Sequence, residues 1–316
     1  MDRNDHKITL VINTKNEEKN IKECILSAKP IVDEIIVVDM VSSDKTVEIA
    51  EKLGAKVFKI KDYDYVEPAR NFALSKATLE WTLTLDADER LTEELRRKIV
   101  RLIKDSSHDG YKFPFKNILL GKWIKYSMWW PDYHLRLFRT GYLNWPAKVH
   151  QEPNFTGIIS QLDPLEKNAV VHYNIVDIKE LLEMVDQYSS VEHTFQSKKN
   201  ITPDDLVKYL NHEFRWRYLE HKGYLDGMHG FILGKFMDVY RLLEVAKFWE
   251  KQGYKEMFAP INLKKAVENN LSSDEETGVL RKDIERLRGD LEKIQSAKFY
   301  KLWQSYCKIR DKILRA

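Results

Sequence analysis

Asp86, Asp88 and Glu89 stand directly behind "WTLTL", a run in which threonine alternates with apolar residues. Carboxylates crowded where a buried strand meets solvent either decorate a solvated turn or hold a metal ion or nucleotide. Capping of the next helix does not explain them, because Thr92 is a good N-cap and Glu93 and Glu94 already fill the first turn. Residues two apart in an extended segment point to the same side, so this spacing lets Asp86 and Asp88 converge on one cation, with small Ala87 leaving room between them. From the spacing alone both readings stand.

The elements around these acids follow one rhythm, a short β-branched run and then a polar helical stretch. "KITLVIN" predicts a strand followed by a helix over 17–28, and "EIIVVDM" one followed by a helix over 44–53. "AKVFKI" leads to "EPARNFALSKA", and "WTLTLDADE" to "TEELRRKIVRLIK". Four such units predict a parallel sheet covered on both faces. In sheets of that kind the ligand sits beyond the carboxyl ends of the strands. Here those ends hold Asn13 to Glu17, then Asp39 with Ser42 and Ser43, then Asp86 to Glu89. The first strand is followed by Asn13, Thr14, Lys15 and Asn16 and by no phosphate-cradling glycine loop. A nucleotide bound here must therefore be gripped by side chains and a metal.

The 316 residues suffice for one large domain or two smaller ones, and 52 basic against 49 acidic residues leave a net charge of +3, so no global field points to nucleic acid. Cys24 and Cys307 fit no zinc spacing and suggest a reducing compartment, with Cys24 a buried small hydrophobe. The start "MDRNDHKITLVINTKN" reads as neither a signal peptide nor a span, which predicts a cytoplasmic protein or one that meets membranes from their surface. Residues 109–175 are rich in aromatics and hold four of the eight tryptophans, most of them read as core. Leu181, Leu182, Val185, Tyr188 and Val191 then recur at helical spacing, as do Leu206, Tyr209 and Leu210. In the tail, Leu280, Ile284, Leu287, Leu291 and Ile294 form a short coiled-coil seam, a homo-oligomer contact within 279–295. Phe299, Leu302, Tyr306, Ile309 and Ile313 form a second stripe among lysines and arginines, suited to an anionic membrane surface or to a partner helix.

The ordered set "ITLVINTKNEEKNI", "IIVVDMVSSDKTVEIA", "PARNFALSKA" and "LDADE" resembles the nucleotide-binding motifs of glycosyltransferase family 2, whose members have the GT-A fold. "WWPDYHLRLFR", "KVHQE" and "GYLDGMHG" extend the resemblance, over roughly residues 7 to 255, to the branch with lipopolysaccharide-core β-glucosyltransferases and related bacterial surface-glycan enzymes. The implied fold is α/β: a Rossmann-like, mostly parallel sheet with helices on both faces, then a helical C-terminal region and the coiled-coil, amphipathic tail. The implied domains are a GT-A catalytic domain over 1–175, a helical region over 176–262 and the tail over 272–316. The first divides into a nucleotide-sugar half, 1–108, and an acceptor half, 109–175.

By this resemblance Thr14, Asn16 and Glu17 line the base and ribose pocket, with Asp39 and Arg70 closing around the base. Asp86 and Asp88 match the Asp-x-Asp motif that holds the ribose and a Mg²⁺ or Mn²⁺ bridging the diphosphate. Hard cations take carboxylate and phosphate oxygens, and a diphosphate leaving group needs its charge neutralised as the glycosidic bond breaks. Such enzymes usually invert the anomeric centre and need a base near the acceptor hydroxyl. Asp132 is the first candidate, read nearly as well as a turn carboxylate paired with Arg136 or Arg139. Glu152, with His150 beside it in "KVHQE", is the second. Arg136 and Arg139 either steer a phosphate group or form structural ion pairs. Gly223, Asp226, Gly227 and Gly230 shape a helix junction. The resemblance implies a UDP-sugar donor, glucose favoured, and a lipid-linked or lipopolysaccharide-type glycan acceptor. Its rivals are transfer to a protein or peptide and a non-catalytic scaffold. A nucleotidyltransferase is disfavoured by the missing triphosphate loop.

Overall fold

A computed structural model of the chain describes residues 7–61, 67–104, 107–146, 153–191 and 203–255. Its first half is the predicted series of units: β1 (Ile8–Thr14), α1 (Ile21–Ala28), β2 (Glu34–Asp39), α2 (Thr46–Lys52), β3 (Lys56–Lys59), α3 (Glu67–Leu74) and β4 (Trp81–Asp86). The strands lie side by side in the order β3-β2-β1-β4, all parallel. Because both faces are covered, β1 is buried nearly throughout rather than alternating between buried and exposed. Leu10 and Ile12 pack on one face with Ile21, Cys24 and Ile25 of α1. Val11 joins Ile36 and Val38 against Ala73 of α3 on the other.

Local hydrogen bonding trims two of the expected helices. Residues 17–20 form a turn in which Asn20 and Ile21 both donate to the Glu17 carbonyl, so α1 begins later than its pattern. Asp44 accepts from the Thr46 amide at 2.9 Å and so stands outside α2. After β4 the chain turns at Ala87 and Asp88 into β5 (Glu89–Leu91) and α4 (Glu93–Leu102). Thr92 caps α4 as expected, its hydroxyl accepting from the Leu95 amide at 3.1 Å. That turn corrects the extended geometry read for residues 86–88.

The second half closes the sheet with β6 (Gly110–Leu119), β7 (Lys122–Trp123), β8 (Asp132–Arg139) and, past the short β9 (Leu143–Asn144), β10 (Asn154–Phe155) and β11 (Ile159–Gln161), β12 (Val170–Ile175). The full order is β3-β2-β1-β4-β8-β6-β12-β5, with β7 and β11 on β6 and with β9 and β10 paired separately. Here β8 runs antiparallel to β4 and β6, β12 parallel to β6, and β5 antiparallel to β12. The result is the mixed, mostly parallel α/β architecture implied by the resemblance.

Beyond the sheet come α5 (Ile178–Val191), α6 (Pro203–Phe214), a π-helical turn (Arg215–Glu220), a 3₁₀ turn (Gly223–Asp226) and α7 (Met228–Lys251). Leu181 and Val185 of α5 are buried with Leu233 and Tyr240 of α7 against Leu119, Ile124 and Ile175 from the sheet side. Leu182 and Tyr188, though on the same periodic stripe in sequence, are exposed. "GYLDGMHG" forms the expected junction: Gly223 and Gly230 pack so closely that a Cβ on Gly230 would lie 1.9 Å from the Gly223 carbonyl oxygen. Gly227, at φ 66° and ψ −136°, takes a conformation essentially confined to glycine. The chain divides into two units, Met1–Tyr254 and Lys255–Ala316. The tail seam and its basic stripe lie outside the described residues. Among the described residues no helix is long and apolar enough to cross a membrane.

Candidate active site

The carboxyl ends of β1, β2 and β4 gather the polar residues named from the sequence. Thr14 and Asp39 end adjacent strands in register and are both buried. The Thr14 hydroxyl, one Asp39 carboxylate oxygen and the Asn13 side-chain oxygen are buried without a hydrogen-bond partner among the described residues, while the other Asp39 oxygen accepts from the Ser42 amide at 3.0 Å. Unpaired buried polar atoms are costly, so three of them at two neighbouring strand ends mark a place built to receive polar ligand groups. Asn16 and Glu17 serve differently. Asn16, at φ 55°, donates its amide to Ser42 and accepts from the Ser43 amide, both at 2.8 Å. Glu17 takes its amide to Thr46 and its carboxylate to Asn20, so the two residues bind the β1 and β2 loops into one wall.

Asp86 ends β4 and faces arginines. Arg136 of β8 donates to it at 2.8 Å, and Arg70 of α3 stands 4.0 Å away while lying over the Trp145 ring at 4.5 Å. Arg136 also pairs with fully buried Glu89, whose second oxygen accepts from the Asp86 amide at 3.1 Å. Against the cost of burial, Arg136 and then Arg70 hold the Asp86 carboxyl well below the usual carboxylate range. Burial, with repulsion from Asp86 and Asp88, outweighs Arg136 at Glu89 and pushes that carboxyl up to about 8. One guanidinium thus serves two acids, of which Asp86 keeps the charge.

Asp88 lies in the turn and meets a different partner, His172 of β12, whose Nε2 is 3.1 Å from its Oδ2. Burial opposes charge on the ring, but Asp88, with Glu89 and Asp86 behind it, raises the His172 pKa above its ordinary value. The other ring nitrogen, Nδ1, is 2.7 Å from the Asn117 side-chain oxygen. Asp86 is thus held by guanidiniums and Asp88 by an imidazole. Among the described residues no three His, Cys, Asp or Glu groups form a metal cage. The Asp88 oxygen and the His172 nitrogen still offer a two-donor set of the right chemistry for Mg²⁺ or Mn²⁺, which keep other positions for phosphate and water.

Asp132 opens β8 and is half-buried. It pairs with neither Arg136 nor Arg139. Its Oδ2 accepts from His134 Nε2 at 3.1 Å and from the Asn117 amide nitrogen at 3.2 Å, contacts that hold its carboxyl below the usual range against burial. Arg139 proves structural, bound to Glu80 at 2.7 Å and to Asp109 at 3.4 Å and lying over Trp81. Arg70, Asp86, Asp132, Arg136, Trp145 and His172 line one cleft of about 620 Å³. A small cavity joins Arg70 and Asp86 to Asn13. His150 and Glu152 lie outside the described residues.

The family model for glycosyl transferase family 2 matches residues 9–157. An uncharacterized glycosyltransferase of Rickettsia typhi is 30% identical over 269 residues, covering 77% of this chain and 87% of the relative. The chain belongs to glycosyltransferase family 2. An uncharacterized glycosyltransferase of Rickettsia prowazekii is also 30% identical, over 266 residues, covering 76% of this chain and 86% of the relative. Among solved structures the chain is similar to S. aureus TarS, residues 1–349 in complex with UDP-GlcNAc, at 18% identity and a TM-score of 0.45, with 81% of this chain and 95% of that one covered. His172 falls beyond the segment matched by the family 2 model, and neither it nor Asn117 was singled out from the sequence. A histidine in "VVHYNI" and an asparagine in "GYKFPFKNIL" are polar residues inside otherwise strand-like runs, and that was the signal available.

Proposed function

We propose that this glycosyltransferase moves a sugar from a nucleotide-diphosphate donor to an acceptor hydroxyl in one displacement that inverts the anomeric centre. The observation that carries this reading is the shared cleft, in which Asp132 stands with Asp86, Arg70 and Arg136. Thr14, Asp39 and Asn13 receive the base and ribose with their unpaired atoms, and Asn16 and Glu17 build the wall behind them. Arg70, held on Trp145, closes over the nucleotide. Asp86, fixed by Arg136, accepts from ribose hydroxyls.

Asp132, ionised at neutral pH, takes the proton from the acceptor hydroxyl as its oxygen bonds to the anomeric carbon and the bond from that carbon to the diphosphate oxygen breaks. Asp88 and His172 are the residues that would hold Mg²⁺ or Mn²⁺, which when bound supplies neutralisation of the diphosphate charge. The resemblance puts UDP first among donor nucleotides and glucose first among sugars. It also favours a lipid-linked or lipopolysaccharide-type glycan as acceptor over a peptide. The tail motifs add peripheral membrane contact and self-association to the proposal.

A thermal-shift screen against UDP-, GDP-, CMP- and dTDP-sugars, with and without Mn²⁺, tests the donor site, because a ligand that binds only the native state must raise the melting temperature. A shift with one nucleotide class, lost in Asp88→Ala where it depends on Mn²⁺, is the expected result. Absence of any shift would overturn the donor reading. Offering glycan and peptide acceptors to the purified enzyme then decides the acceptor class.

A further inference from the structure

We propose that Asn117 is a positioning residue that joins the base Asp132 to the His172 imidazole and so keeps the acceptor side of the cleft in register with the diphosphate side. The inference rests on the roles given above to Asp132, Asp88 and His172.

Asn117 lies on β6 between β8 and β12, is fully buried, and is paired in register with His172 across the β6–β12 ladder. Its neighbours settle which way the amide faces. Asp132 Oδ2, at 3.2 Å, and the Trp129 carbonyl, at 3.4 Å, can only accept, so the NH₂ group points to them. The side-chain oxygen is then left for His172 Nδ1 at 2.7 Å and must accept, which places a proton on Nδ1. The ring is thereby oriented with Nε2 toward Asp88, 3.1 Å from its Oδ2, a contact that is a hydrogen bond when the ring also carries a proton on Nε2, since the carboxylate can only accept. A continuous chain results, from Asp88 through His172 and Asn117 to Asp132 and on to His134.

Asparagine is the residue of suitable size that offers a donor and an acceptor from one planar end. Leucine would fill a similar volume but satisfy neither neighbour, and aspartate would set a second carboxylate against Asp132. A buried amide in a strand whose other inward residues include Phe113, Phe115 and Leu119 costs stability unless both its ends are used, and here both are used by groups of the cleft. The pairings tie three strands together at the point where donor and acceptor must meet. Small displacements of reacting groups are costly to rate, so such a tie acts on turnover more than on donor binding.

The test uses the full-length protein and its Asn117→Leu and Asn117→Asp variants, with Asn168→Ala as a remote control for loss of a buried amide. Long-range ¹H–¹⁵N spectra of histidine-labelled protein at alkaline pH, with His172→Gln assigning the signal, should show the proton of the neutral His172 ring on Nδ1. That tautomer should be lost in Asn117→Leu and kept in Asn117→Asp, which retains the accepting oxygen. With the donor found by the thermal-shift screen, both variants should lose about 10- to 100-fold in kcat while the donor KM stays within about threefold. Asn168→Ala should change neither tautomer nor kcat. A wild-type ring protonated on Nε2, a tautomer unchanged in Asn117→Leu, or kcat retained in both variants would overturn the proposal. Should the wild type turn over no nucleotide sugar, the function proposed above fails, and the spectra by themselves still decide whether Asn117 sets the His172 ring.

Discussion

Arg136 answers to Asp86 and Glu89 together, and the arrangement makes the two acids unequal. Glu89 keeps its proton up to about 8 when folded, against an ordinary 4.5 in the unfolded chain. Between those values the folded state binds the extra proton. Its contribution is therefore complete below about pH 4.5 and is lost as pH rises through about 8, at up to about 1.4 kcal/mol per pH unit. Stability of the wild type should fall more steeply than that of Glu89→Gln between roughly pH 5 and 8. Parallel pH profiles in denaturant titrations would refute this. Asp86 carries the opposite linkage: its depressed carboxyl stabilises the fold above the ordinary 3.8 and loses that contribution only in strong acid. Asp86→Asn should accordingly leave the chain folded at neutral pH but cut kcat by about 100-fold or more, because the charge organised by two arginines is gone. Turnover within a few fold of wild type would remove Asp86 from the donor site.

Among the elements, α4 and the glycine junction separate stability from activity. Thr92→Ala removes the cap of α4 and should cost about 1 kcal/mol of stability with kcat unchanged, measured by denaturant unfolding alongside turnover. Gly230→Ala should be more damaging, about 1–3 kcal/mol, because its Cβ would meet the Gly223 carbonyl at 1.9 Å and push α7 off the 3₁₀ turn. That turn matters to the sheet, since buried Asp226 accepts from the Lys125 and Tyr126 amides at 3.1 and 2.8 Å and so anchors the loop between β7 and β8. The first half of the fold was legible because its strands are short runs rich in apolar and β-branched residues, most of them ending in polar ones. The second half was harder to read. "WWPDYHLRLFR" shows its aromatics but not its direction, and β8 takes its antiparallel place from its ladders with β4 and β6.

For the whole molecule, the division of the chain at Tyr254 and Lys255 leads to a direct expectation. A chain ending after Tyr254 should keep the melting transition and the donor-dependent thermal shift of the full protein, because the sheet, the cleft and α5 to α7 all precede that point. Loss of the donor shift in the shortened chain would place part of the donor site beyond it.

The sequence by itself determined the family, the four strand–helix units, the polar residues at their carboxyl ends and the acids to be watched, because apolar runs, caps and the order of motifs are local properties. Only the tertiary structure decided what each acid does. Asp86 meets Arg136 across 50 residues, His172 meets Asn117 across 55 and Asp88 across 84. Those distances are closed by the register of β8 against β4 and of β12 against β6 and β5, and a one-residue slip would turn every such side chain to the opposite face. Local spacing put Asp86 and Asp88 on one side of an extended strand. The chain instead turns at Ala87 and Asp88 before β5 joins β12, and the sheet gives Asp86 to the arginines and Asp88 to a histidine.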